Sequence, residues 1–202
     1  MISTFVKTGI AAALVFAASA ISGSAQDQEP LPDYVLGDVD APIEIIEYAS
    51  FTCPHCAAFH ENVYPKLKAD YVETGKVKFV FREIYFDRFG LWAGMLARCG
   101  GEDRYFGIVD LLFEKQAFWS RGDDAAEIVG KMYQVGRQAG LDDSTMESCM
   151  QDQETAKALV ADYQLKAGGH EITATPTFII DGEKVSNMPY ADFVKLLDEK
   201  LN

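Results

Sequence analysis

Apolar positions along the chain follow a strand-like rhythm near both ends and a helical one through a long middle. Ile43 to Tyr48 (Ile-Glu-Ile-Ile-Glu-Tyr) is mostly apolar and rich in β-branched residues, which predicts a buried strand. Ala49 to Thr52 carries that strand into Cys53-Pro54-His55-Cys56. Beyond it Ala57, Phe59, Val63, Leu67 and Tyr71 recur at helical spacing, Gly75 stops the pattern, and Val77 to Phe81 resumes as a strand. The result is a β-α-β unit with two cysteines at the start of its helix. Ahead of it, Tyr34-Val35-Leu36 has the composition of a short edge strand.

From about Asp87 to Gly168 no strand-like run occurs. Helix formers dominate, with breaks near Gly100-Gly101, Arg121-Gly122-Asp123 and Gly140-Leu141-Asp142-Asp143, so several helices are expected. Thr177 to Ile180, the turn Asp181-Gly182 and Lys184-Val185 predict a β-hairpin, and Tyr190 to Leu201 a closing helix. A β-α-β half and a β-β-α half together make an α/β fold, a four-stranded mixed sheet with flanking helices, into which the helical block is inserted. The expected division is 26–86 and 169–202 for the two parts of the sheet domain and 87–168 for the insertion.

The first 25 residues read differently. Lys7 precedes an apolar run from Gly9 to Ala18 and then small residues ending at Ala25, the pattern of a cleavable secretory signal peptide. Its apolar core is short for a membrane span. Export implies an oxidising compartment, the periplasm of a Gram-negative bacterium, where cysteines can pair. Acidic residues outnumber basic ones 31 to 18, a net charge of −13, which disfavours nucleic acid as a partner. The charges are spread along the chain, as solubility alone requires.

The two clustered cysteines carry the chemistry. At a helix N-terminus the Cys53 sulfur meets free backbone N–H groups and the positive end of the helix dipole, and both favour thiolate. Cys53 is therefore the expected nucleophile and Cys56, a turn further in, the resolving thiol. Pro54 pre-sets the first helical turn without an N–H of its own, and His55 can offer the thiolate a cation or a hydrogen bond. A thiolate with a pKa of about 4 is stabilised at pH 7 by about 4 kcal/mol, or roughly 90 mV toward a more oxidising disulfide.

The segment Glu47-Tyr48-Ala49-Ser50-Phe51-Thr52-Cys53-Pro54-His55-Cys56 resembles the active-site segment of the DsbA family in the thioredoxin superfamily. The similarity extends to Ala174-Thr175-Pro176-Thr177-Phe178, where such proteins carry a cis-proline facing the cysteines, and to the helical insertion. It implies a thioredoxin-like fold, substrate presentation by Thr175 and Pro176, and a proton-accepting role for Glu47 beneath Cys56. It also implies an exported oxidase of reduced substrate proteins, with no cofactor beyond the Cys53–Cys56 disulfide and with regeneration by a membrane oxidant of the DsbB type. Nothing in the sequence demands more than a monomer.

Alternatives attach to several of these residues. A zinc site could draw on Cys53, Cys56 and His60, but no second clustered pair supplies the remaining ligands, and His60 reads as a solvated helix residue. His170, beside Gly168-Gly169, reads as a loop residue. Cys99 and Cys149 fall in the helical block, and pairing them closes a loop worth on the order of 4 kcal/mol. A structural disulfide is expected there, with free thiols or a second redox couple as the other readings. Trp92, Tyr105, Phe106, Phe113, Phe118 and Trp119 read as core, with the surroundings of Phe118 to Ser120 as the exception. A periplasmic reductase or isomerase, or a metal-binding module of the same fold, would use the same parts.

Overall fold

The computed structural model describes residues 30–202, so the expected signal peptide lies outside the described residues. Five strands form one sheet in the order β1-β3-β2-β4-β5: β1 (Val35–Leu36), β2 (Ile43–Ala49), β3 (Val77–Glu83), β4 (Thr177–Ile180) and β5 (Glu183–Ser186). β2 and β3 run parallel, and every other pairing is antiparallel. The expected four-stranded sheet is thus one strand short: Val35 and Leu36 pair with Val80 and Phe79 and add a fifth strand at the β3 edge.

Period-2 alternation divides the sheet residues between two cores. Ile43, Ile45 and Ala49 of β2 and Val77, Phe79 and Phe81 of β3 join the larger one, with Phe59, Phe178, Phe193 and Leu197. Ile46, Tyr48, Val80 and Ile179 face the other way into a smaller cluster with Ala167. Glu47 belongs by parity to the first row. It is a fully buried carboxyl in a line of aliphatic side chains.

The helix after β2 is less regular than its apolar spacing predicts. α1 (Pro54–Asn62) stops, α2 (Tyr64–Leu67) follows, and a π-helical turn over Lys68–Val72 completes the segment. Pro65 has no N–H to bond the carbonyl four residues back, which accounts for a break just before it, at Val63.

Six helices lie between β3 and β4: α3 (Arg88–Arg98), α4 (Glu102–Glu114), α5 (Gln116–Trp119), α6 (Ala125–Gln138), α7 (Asp143–Met150) and α8 (Gln153–Gly169). Side-chain caps from Asp87, Asp124, Asp142 and Asp152 start α3, α6, α7 and α8. α6 ends where Gly140, at φ +82°, turns the chain so that Leu141 N–H donates to the Gly136 carbonyl. Cys99 and Cys149 form a disulfide across α3 and α7. The hairpin turn takes Asp181 and Gly182 to positive φ, and α9 (Tyr190–Leu201) packs Phe193 and Leu197 under the sheet.

A buried ion pair ties the insertion to the sheet. Glu83, at the end of β3, accepts two hydrogen bonds from Arg98 (3.1 and 3.0 Å) and one from the Tyr105 hydroxyl at 2.7 Å. Removing one partner of such a pair strands the other charge in a poorly solvated place. Glu83→Ala should therefore lose about 3–5 kcal/mol of stability, read as a lower urea midpoint. Glu83→Gln, which still offers an acceptor to Tyr105, should lose less, and a Glu83→Ala cost below about 1 kcal/mol, the size of an exposed pair, would contradict this assignment.

Candidate active site

Cys53 is the N-cap of α1, in an extended conformation at φ −83° and ψ 119°, with Pro54 as the first helical residue. Because Pro54 donates nothing, the first free N–H groups of the helix belong to His55 and Cys56, and these support a thiolate at Cys53. Pro54 and His55 are exposed, whereas Cys53 retains 9% exposure and Cys56 none. What reaches the sulfur from His55 is thus its backbone rather than its imidazole.

The two thiols are free and differ sharply. The hydrogen bond from the Cys56 thiol is the largest influence on Cys53; burial opposes it, and the Thr175 side chain and the two backbone N–H groups assist. Together they bring Cys53 down from 9.0 to about 5. Cys56 moves the other way: burial foremost, then its hydrogen bond to Cys53 and the charge of Glu47, hold its thiol far above the ordinary range.

Across the site the Thr175-Pro176 peptide bond is cis, and the Cys53 thiol donates to the Thr175 carbonyl at 3.6 Å. Pro176 is buried, Thr175 is half-buried and Ala174 is exposed, which leaves an open rim beside the sulfurs. Glu47 lies beneath, on β2, and its Oε2 is 2.9 Å from Nε2 of His60.

His60 is the correction to the sequence reading. It is buried rather than solvated, with its ring stacked on Phe113 at 3.9 Å between centroids. The signal was present: Cys56, Phe59, His60 and Val63 follow i, i+3, i+4, i+7 spacing, which places His60 on the inward face with Cys56. His170 caps the end of α8, and its Nδ1 lies 2.8 Å from the Tyr48 hydroxyl, which also accepts from Arg82 at 2.6 Å. It serves the opposite face of the sheet from Cys56.

Two polar ties hold the active-site turn to the insertion, and neither was marked by the sequence pattern. Gln116 on α5 is buried and donates from Nε2 to the carbonyls of Phe51 (2.8 Å) and Cys53 (2.9 Å). Thr52 donates to Asp87 Oδ2 at 2.7 Å, while the other oxygen of Asp87 caps α3. A lone glutamine in a helical block gives no periodic signal. Trp119 is fully buried and donates to the Leu112 carbonyl, while its neighbour Phe118 is 44% exposed. Among the described residues no cluster of three or more His, Cys, Asp or Glu side chains is arranged to hold a metal ion.

Comparison with known proteins finds relatives of this fold. A thioredoxin family model matches residues 30–199. A Rickettsia bellii protein named "Putative protein-disulfide oxidoreductase" is 30% identical over 84% of this chain, and the chain spans 64% of that protein, just under two thirds of its length. Disulfide bond formation protein D of Bacillus subtilis is 26% identical, with 82% of this chain and 75% of that protein covered. The crystal structure of alpha-DsbA1 from Wolbachia pipientis superposes with a TM-score of 0.77 at 32% identity, covering 84% of this chain and 92% of that one. That of BdbD from Bacillus subtilis, at 23% identity and a TM-score of 0.71, shares the fold.

The unequal thiols predict a distinctive titration. In the reduced protein, thiolate absorbance should rise by one equivalent near pH 5, with Cys56 silent through neutrality. A folded pKa below the unfolded one stabilises the reduced fold wherever the folded thiol has lost its proton, and does so in full once the unfolded thiol would have lost its own as well. The stability contributed by Cys53 should accordingly be complete above about pH 9, shrink as pH falls, and vanish below about 5. Urea unfolding of the reduced protein across that window reads this directly; a first thiolate transition near 9 would refute it.

Proposed function

The chain belongs to the DsbA family of the thioredoxin superfamily, and from that premise we propose that it is an exported thiol–disulfide oxidoreductase that introduces disulfide bonds into reduced proteins. The observation that carries this reading is the contrast between Cys53, lowered to about 5, and the buried Cys56 thiol, raised. A stabilised thiolate makes the reduced form the favoured product and the disulfide a strong oxidant.

In this reading a substrate thiolate attacks the Cys53 sulfur of the Cys53–Cys56 disulfide. A mixed disulfide forms at Cys53, and Cys56 leaves with the electron pair. A second substrate thiolate then attacks the substrate sulfur, closing a disulfide in the substrate and releasing Cys53 as its stable thiolate. Only the half of the pair at the rim can be attacked, since Cys56 has no exposure. Thr175 and Pro176 line that rim and serve to seat an extended substrate segment. Glu47 exchanges a proton with Cys56 as that thiol is formed and consumed. Pro54 and the His55 backbone set the redox poise.

Cys99–Cys149 is assigned a structural role, pinning α3 to α7 away from the exchange site. The apolar leader supports a periplasmic location and the acidic chain a soluble protein without a nucleic acid partner; nothing in the sequence demands more than a monomer, and the Cys53–Cys56 disulfide is the redox group that the exchange uses. A DsbB-type membrane oxidant would withdraw the two electrons left on Cys53 and Cys56.

Equilibration with glutathione measures the direction. The Cys53–Cys56 potential should lie well above about −270 mV, the thioredoxin value; a potential near that figure would assign the chain to reduction instead. Cys56→Ser should accumulate mixed disulfides through Cys53 with reduced substrates, seen as thiol-sensitive adducts on gels, and should turn over none of them. A Cys56→Ser protein that forms no adducts would remove Cys53 from the role of attacked sulfur.

A further inference from the structure

Four buried side-chain atoms lack a hydrogen-bond partner among the described residues: Glu47 Oε1, His60 Nδ1, the Tyr64 hydroxyl and Asp110 Oδ1. They are not scattered. His60, Tyr64 and Asp110 line one cavity of about 630 Å³ between the α1–α2 segment and α4, and Glu47 is joined to it through its 2.9 Å contact with His60. Native interiors leave few polar atoms unpaired, and a polar cavity of this size admits water to satisfy them. The cavity is open to solvent, and the charged side chains Glu61 and Lys68 also line it.

The chemistry proposed above leaves a problem at Cys56. Each disulfide opening releases a sulfur anion in the core, and each closure takes a proton off the same buried thiol. Cys56 has no exposure, so its proton must travel through neighbours. Glu47 is the nearest assigned acceptor, yet it too is fully buried. His60 both bonds Glu47 and lines the cavity. An imidazole can take a proton on one nitrogen and release one from the other.

We propose that His60 is a positioning and relay residue that connects Glu47, and through it Cys56, to the water of the α1–α4 cavity. As substrate attack breaks the Cys53–Cys56 bond, Nδ1 takes a proton from cavity water, Nε2 passes its own to Glu47, and Glu47 protonates the Cys56 sulfur. The electron pair of the broken bond ends in the new S–H bond, and one proton has entered from the cavity. When the disulfide closes again the same proton leaves by the reverse path. Stacking on Phe113 holds the ring edge-on between the two sides. Tyr64 and Asp110 offer the polar wall that keeps water ordered there.

This inference rests on the oxidoreductase reading, and one set of measurements separates the two. Oxidised full-length protein is mixed with dithiothreitol in a stopped-flow instrument, and disulfide opening is followed at neutral pH. His60→Phe keeps the stacked ring and removes both nitrogens; it should slow the reaction about tenfold or more, with the Cys53 thiolate titration unmoved. His60→Ala should be slowed similarly and recover in proportion to added imidazole. Recovery should depend on the pKa of substituted imidazoles, which a purely structural loss would not do. His60→Phe, whose ring fills the space, should not respond. A folded His60→Phe protein reacting at the unmodified rate, or a His60→Ala loss that imidazole leaves untouched, overturns the relay alone. Unmodified protein that fails to exchange with dithiothreitol overturns the oxidoreductase reading and the relay with it.

Discussion

The structure turns on a difference in solvation between two sulfurs three residues apart. A helix begins at Cys53, so its sulfur faces unpaired N–H groups and the rim of the fold; one turn later the same helix has entered the core, and Cys56 faces aromatic side chains and a buried carboxyl. Neither effect needs an unusual residue. The helix N-terminus stabilises negative charge wherever it is placed, and burial penalises it wherever water is excluded. What the fold contributes is the angle at which α1 leaves β2, so that a single turn of helix crosses from one regime to the other.

That angle is held from outside the sheet domain. Gln116 bridges the carbonyls on either side of the active-site turn, and Thr52 is tied to Asp87 at the start of α3. Both partners come from the six-helix insertion, which is itself anchored to the end of β3 through Glu83, Arg98 and Tyr105. The insertion therefore fixes the backbone carrying Cys53, and a thioredoxin-like sheet without it would lack those constraints. The neutral Gln116 bonds are each worth about 1 kcal/mol and the Thr52 bond to the Asp87 carboxylate about 1.5–3 kcal/mol. Their larger effect is to remove freedom from a turn whose N–H groups must all point at one sulfur.

Much of this was legible in the residues because it depends on local chemistry. Strand alternation in Ile43 to Tyr48, the Asp181-Gly182 turn and the three Gly- or Asp-marked breaks of the helical block each reflect a steric or hydrogen-bonding preference of a few adjacent residues. The fifth strand was visible as Val35 and Leu36, but two residues cannot reveal that they will pair with Val80 and Phe79. The single helix expected from Ala57 to Tyr71 is broken because apolar spacing records which face is buried and not whether Pro65 permits the bond beneath it. The metal-site alternative found its histidine in the wrong environment for a different reason. His60 is polar by composition, which outweighed the helical spacing that puts it on the inward face, and the approach of α4, with Phe113 against its ring, completes its burial.

The burial of polar groups on this side of the sheet is then the feature that most needs a physical reason. A core of Ile, Phe and Val would be served better by leucine at position 47 and phenylalanine at 60, since a buried carboxyl and imidazole cost free energy that their one mutual hydrogen bond does not fully return. The opposite face shows how the same chain satisfies polar groups when stability is the only demand. Tyr48 there is bonded to His170, Arg82 and the Lys166 carbonyl, and Arg82 is bonded in turn to Asp33. Behind Cys56 the pairing is left incomplete, with one oxygen of Glu47 and one nitrogen of His60 unmatched. A proton moves along hydrogen bonds, so the atoms left unmatched within the protein are what connect Glu47 and His60 to cavity water; a network closed on itself at this position would be more stable and would have no link to solvent.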